Sequence, residues 1–100
     1  MSSILYEVVI TVTPQIRSAY LEWLKSHIEQ MMRIDGLLSA EILTNTENEN
    51  EISCYYRLRN QAAMDAYLAG PAQDMRADGV NRFGNAFSAR RRILCSFLTH

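Results

Sequence analysis

Apolar residues along this chain switch between a two-residue and a helical spacing, and the order of the switches leaves few architectures open. Residues 4 to 12 alternate like a strand, and residues 14 to 34 repeat like a helix. Two further strand-like runs meet at Glu47-Asn48-Glu49-Asn50, and a second helical stretch leads into a last strand. The order βαββαβ predicts a four-stranded antiparallel sheet with two helices on one face.

In the first strand Ile4, Tyr6, Val8, Ile10 and Val12 share one face, and Leu5, Glu7, Val9 and Thr11 share the other. The first set is the better core. Thr13-Pro14 reads as a helix start, with the Thr hydroxyl free to accept an amide and Pro needing no donor there. On a helical wheel Ile16, Tyr20, Trp23, Leu24, His27, Ile28, Met31 and Met32 form one stripe opposite Ser18, Glu22, Lys25, Glu29 and Arg33. Asp35-Gly36 ends that helix. Leu37 to Thr46 and Glu51 to Arg59 then read as a hairpin with a polar tip. Asn60 caps the next helix, which carries Met64, Leu68, Ala72 and Met75 at core spacing and is interrupted by Gly70-Pro71, where a kink or a break into two helices is expected. Val80 to Gly84 closes the helical part, and Asn85 to Leu98 supplies a long fourth strand. The arrangement is a ferredoxin-like α+β fold with strand order 4-1-3-2, spanning residues 1–100 as one domain.

With 100 residues and 48% hydrophobic side chains, the chain has ample material for a packed core. Ten Lys and Arg against eleven Asp and Glu give a net charge of -1, which argues against a nucleic-acid partner. The first residues have no basic and apolar leader pattern, and no stretch approaches a membrane span. The expected setting is soluble and cytoplasmic. Cys54 and Cys95 lie on strands that are not neighbours in the expected order, with no CxxC spacing, so buried reduced thiols are the expectation. The chain holds two histidines, His27 and the terminal His100, so no dedicated metal site is expected. GxGxxG, Walker, GxSxG and HExxH patterns are absent, and no cofactor is expected.

A sheet covered on one face leaves the other open. That face carries Val9, Leu43 and Tyr55 among Glu7, Glu41 and Arg57, a mixed patch spread over adjacent strands. Two sheets packed face to face would cover it and let Glu7 or Glu41 meet Arg57, so a homodimer is expected.

The succession Tyr6-Glu7-Val8, Trp23 with His27-Ile28, Tyr56-Arg57-Leu58, Tyr67-Leu68-Ala69-Gly70-Pro71, Arg82-Phe83-Gly84 and Phe87 to Arg91 resembles a bacterial domain of unknown function, family 4286, within the dimeric α+β barrel superfamily. Order and spacing carry the resemblance, which covers nearly the whole chain. It implies a ferredoxin-like protomer in a dimeric barrel and no defined chemistry. The wider superfamily mixes cofactor-independent monooxygenases, haem-degrading enzymes, lactone isomerases, stress proteins and ligand-sensing domains.

His27 lies within the apolar stripe of the first helix. Read functionally, it is a general base or substrate-orienting donor at the bottom of a pocket between helix and sheet; read structurally, it is a core histidine with a hydrogen-bond partner. Tyr6, Tyr20, Trp23, Tyr56 and Tyr67 are aromatic side chains with polar tips, and they either line a small-molecule pocket or fill the core. Arg91 shares a strand face with Phe87, Ala89, Ile93, Cys95 and Phe97. An arginine in so apolar a row calls for an anionic ligand, or else an ion pair with Glu7, Glu41 or Glu51 or a solvated strand edge. The candidate ligand-binding set is therefore Tyr6, Tyr20, Trp23, His27, Tyr56 and Arg91, with His27 the candidate catalytic residue. The leading expectation is a dimeric α+β barrel binding a small organic molecule in a helix-sheet pocket. A cofactor-independent monooxygenase or isomerase, and a purely structural or interaction module, are the alternatives. The sequence does not decide whether the protein is an enzyme.

Overall fold

The computed structural model describes residues 3–100. Strand β1 (Ile4–Val12) leads through a 3-10 turn (Pro14–Ile16) into helix α1 (Arg17–Met31). Strands β2 (Leu37–Thr44) and β3 (Glu51–Leu58) follow, then helices α2 (Gln61–Ala69) and α3 (Pro71–Phe83) and strand β4 (Phe87–Cys95). The strands form one antiparallel sheet in the order β2-β3-β1-β4, as the sequence pattern predicts. No helix among the described residues is long and apolar enough to cross a membrane.

The helix ends follow local chemistry, with one departure. Thr13 is extended and precedes Pro14, but its hydroxyl makes no capping bond. Its carbonyl instead accepts from the Ile16 amide at 3.2 Å, closing a 3-10 turn, so the regular helix begins three residues later than the Thr-Pro pair suggests. At α2 the expected cap is made: Asn60 Oδ1 accepts from the Ala63 amide at 2.9 Å. Gly70-Pro71 divides the second helical stretch into α2 and α3, because Pro71 has no amide to continue the ladder. Gly84, at φ 57° and ψ -129°, takes a positive-φ conformation open to glycine, and α3 stops there.

Strand β4 is shorter than the run from Asn85 to Leu98. Its partner β1 ends at Ile4, opposite Cys95, and offers no further backbone groups, so Phe97 and Leu98 stand exposed beyond the sheet. Strand β2 likewise ends at Thr44 rather than Thr46. Asn45 and Asn48 accept the Glu47 and Asn50 amides with their side chains, folding the tip back locally.

All five residues of the predicted β1 core face are buried, against Ile52, Cys54, Tyr56 and Leu58 of β3 and Met64, Tyr67 and Ala72 of the helices. From α1 the core takes Tyr20, Leu24 and Met31, with Trp23 and Ile28 partly buried against it. Met32 does not join the stripe. It is 45% exposed, because the helix ends at Met31 and Met32 forms its cap. Cys54 is buried as expected, but Cys95 is exposed, because it ends the edge strand β4; both are free thiols on strands that flank β1 from opposite sides. Burial pushes the Cys54 thiol up to about 11.

The opposite sheet face carries a polar row across all four strands, Glu41, Tyr55, Glu7 and Arg92. Glu7 is 8% exposed and accepts from Arg92 Nε at 2.7 Å and from the Tyr55 hydroxyl at 2.9 Å. Those two bonds, Arg92 first, hold its carboxyl below the usual carboxylate range against the opposing effect of burial. The expected partner was Arg57, but the register sets Arg57 opposite Leu5, and it donates to Ser3 Oγ at 2.9 Å.

Gly36 joins α1 to β2 at φ 90°, its carbonyl accepting from the Arg59 amide at 2.8 Å. A Cβ there would lie 2.6 Å from the Ala63 Cβ of α2. Gly36→Ala combines backbone strain with a clash against α2 and is expected to destabilise the fold by about 1–3 kcal/mol, read as a lower urea midpoint at unchanged slope.

Candidate functional site

A small cavity of about 60 Å³ lies between helices and sheet. Strand β1 contributes Tyr6, Val8 and Ile10 to its wall, and α1 contributes Tyr20, Trp23, Leu24 and His27. Tyr56 comes from β3, Tyr67 from α2, Ala72, Met75 and Arg76 from α3, and Phe87 and Arg91 from β4. Tyr6, Tyr20, Trp23, His27, Tyr56 and Arg91, the residues singled out from the sequence, thus come together around one space. Two periodicities bring them there. Tyr6 and Tyr56 are opposite one another in the β1–β3 register, while Trp23 and Leu24 follow Tyr20, and His27 follows them, by three or four residues on α1.

The aromatic rings form two groups, one around Tyr6 and one around Tyr20 and Trp23. Tyr6 lies 6.0 Å from Tyr56 and 5.9 Å from Tyr67, centroid to centroid. Tyr20 lies 5.4 Å from Trp23 and 5.3 Å from Phe87, and Trp23 stacks on His27 at 5.0 Å. The Tyr20, Tyr56 and Tyr67 phenols remain protonated at neutral pH. Burial raises Tyr20 and Tyr56 far above their usual range and brings Tyr67 to about 12. Arg76 donates to the Tyr6 hydroxyl at 3.1 Å, whereas the Tyr67 hydroxyl donates to sulfur, Met75 Sδ at 3.8 Å and Met31 Sδ at 4.0 Å.

Arg91 takes its place by the alternation of β4. Arg92, on the opposite face, takes Glu7, and among the described residues Arg91 and Arg76 form no ion pair with a carboxylate. Both arginines are exposed, Arg91 on the edge strand β4, so the cavity joins apolar walls to two guanidinium groups that also face solvent and to several phenol hydroxyls. That donor-rich lining suits a planar apolar body bearing an anionic or oxygen-rich head. Among the described residues no three His, Cys, Asp or Glu side chains gather as a metal set.

Sequence reasoning passed over Arg76 and Asp78. Arg76 follows buried Ala72 by four residues and so shares its helix face, a signal that was present in the spacing. Asp78 accepts from Trp23 Nε1 at 2.8 Å across a separation of 55 residues, which no local pattern reveals.

With this geometry in place, the protein is of the ferredoxin-like α+β class. Residues 3–97 match the model of the domain of unknown function DUF4286, and the chain belongs to that family. No curated protein matches the chain. Among solved structures, the fold is similar to that of a variant of SnoaB, a cofactor-independent oxygenase from Streptomyces nogalater. The TM-score is 0.83 at 12% identity, covering 99% of this chain and 97% of that one. It is also similar to Rv0793 from Mycobacterium tuberculosis, with a TM-score of 0.79, 20% identity and coverage of 99% and 98%. PA3566 from Pseudomonas aeruginosa gives 0.78 at 13% identity, with coverage of 98% and 97%. At such identities the likeness is one of fold.

Burial lowers the His27 imidazole below its ordinary 6.5, and the charge of Asp78 offsets part of that effect. His27 is therefore neutral at neutral pH. The unfolded chain takes up this proton near 6.5 and the folded chain only at lower pH, so the associated stability is complete above 6.5 and lost as pH falls through the depressed folded value. The His27 imidazole is expected to titrate below 6.5 by proton NMR. His27→Ala is expected to remove that part of the acid loss of stability in urea denaturation at neutral pH and below 6.5.

Proposed function

We propose that the cavity between helices and sheet binds a small organic anion with a planar body, in a protein that works as a cytoplasmic homodimer. The convergence of Tyr6, Tyr20, Trp23, His27, Tyr56 and Arg91 on one space carries this reading, with Arg76 and Arg91 left without carboxylate partners among the described residues. A guanidinium beside apolar walls is stabilised by an anionic group that bonds it in a fork, and the flanking phenols supply further donors. A purely structural role is the competing reading, because the space the rings leave is only about 60 Å³.

A second reading, a cofactor-independent oxygenase or isomerase, draws on His27. Its neutral imidazole is able to accept a proton at neutral pH and lines the same cavity as Arg91. SnoaB, which shares the fold, is itself a cofactor-independent oxygenase. In this reading Arg91 holds the substrate anion, the tyrosines donate to its oxygens, and His27 takes a proton from it.

The homodimer is supported by the open sheet face. Leu43 is 41% exposed there beside the polar row through Glu7, and a second copy packed on that face would remove both from water. Native mass spectrometry is expected to give twice 11.5 kDa, and a monomer would remove the barrel from this reading. Benzoate, a planar carboxylate, is expected to bind by calorimetry, and Arg91→Ala to weaken it about tenfold or more, in line with the loss of a charge-assisted bond. Equal affinity in the two proteins would remove Arg91 from the site.

A further inference from the structure

The cavity is too small for the ligand it is suited to. It holds about 60 Å³, whereas benzene occupies apolar cavities of roughly 150 Å³. Beside it an open groove of about 1150 Å³ runs between α1 and α3. Trp23, His27 and Met75 line both spaces and so form the wall between them.

The indole is the largest part of that wall, and it is held from the groove side. Trp23 Nε1 donates to Asp78 Oδ2 at 2.8 Å, and Arg82 Nε reaches the two oxygens of the same carboxylate at 3.1 and 3.2 Å. Beneath the ring lies Gly79, where a Cβ would come within 3.2 Å of Trp23 Cη2, so the ring seats on bare backbone. Asp78 and Arg82 are both exposed, and bonds at such positions exchange readily with water. Met75, the neighbouring wall residue, is unbranched and able to repack around a displaced ring.

We propose that Trp23 is the residue that sets ligand size at this site. Latched to Asp78, it limits the cavity to a few water molecules. Released, it swings off its Gly79 seat and joins the cavity to the groove, making room for an aromatic carboxylate whose anionic end reaches Arg91. This inference rests on the reading of the cavity as a ligand site, and it adds a barrier that the ligand must wait for.

Trp23 is the sole tryptophan, so its fluorescence follows the wall directly. Stopped-flow mixing of the full chain with benzoate is expected to give an observed rate that levels off with concentration, the plateau being the opening rate. Asp78→Ala, a change at an exposed position, is expected to raise the plateau about tenfold or more, as loss of a charge-assisted bond would. Trp23→Ala is expected to bind 2-naphthoate, by calorimetry, about tenfold more tightly than the parent protein does. Trp23→Phe provides the same comparison with an aromatic ring retained, should the alanine variant fail to fold. Binding of benzoate with a rate that rises linearly and is unchanged by Asp78→Ala would overturn the partition while leaving the pocket. Absence of benzoate binding in the parent and in every variant would overturn the pocket reading and the partition with it.

Discussion

Alternation along β1 determines how the rest of the molecule is arranged. The strand lies between β3 and β4, so its two faces become the two faces of the whole sheet. One face, from Ile4 to Val12, is apolar and draws both helical layers onto it. The other places Glu7 at the centre of the sheet, where a charge persists only because Arg92 and Tyr55 reach it from the flanking strands. Slipping the register by one residue would exchange these faces, burying Glu7 under the helices and exposing the core.

The same alternation separates two neighbouring arginines into different roles. Arg92 completes the carboxylate pair on the open face, and Arg91, one residue earlier, lies on the face of the tyrosines. Alternation alone keeps Arg91 away from Glu7, which lies on the opposite face, and sets the guanidinium at the cavity. The candidate site is in this sense a by-product of strand geometry.

Much of this was legible in the residues, for identifiable reasons. Strand faces, the Asn60 cap and the Gly70-Pro71 break depend on neighbours within a few positions, and local spacing encodes them. The gathering of Tyr6, Tyr20, Trp23, His27, Tyr56 and Arg91 follows once the strand order is set, because each lies on the helix-facing side of its element. Partner choice was less accessible. Arg57 and Arg92 are both arginines on the open face, and only the register, which places Arg92 and not Arg57 opposite Glu7 on the adjacent strand β4, distinguishes them. The Trp23–Asp78 bond depends on how α3 lies across α1, a matter of packing between elements far apart in sequence. The 3-10 start of α1 and the early end of β4 depend on which backbone groups find partners, which the side chains do not announce.

The pairing of β1 with β4 over its full length, from Ile4 opposite Cys95 to Val12 opposite Phe87, also bears on how the chain is made. During synthesis β1 emerges first and β4 after every other element, so the early strand can pair with β3 while its other edge stays open. Over that interval Glu7 has Tyr55 but lacks Arg92, and the half-built sheet carries both an unpaired strand edge and an uncompensated carboxylate. The charge that is neutralised in the finished protein thus discourages edge-to-edge association of nascent chains until the fourth strand arrives.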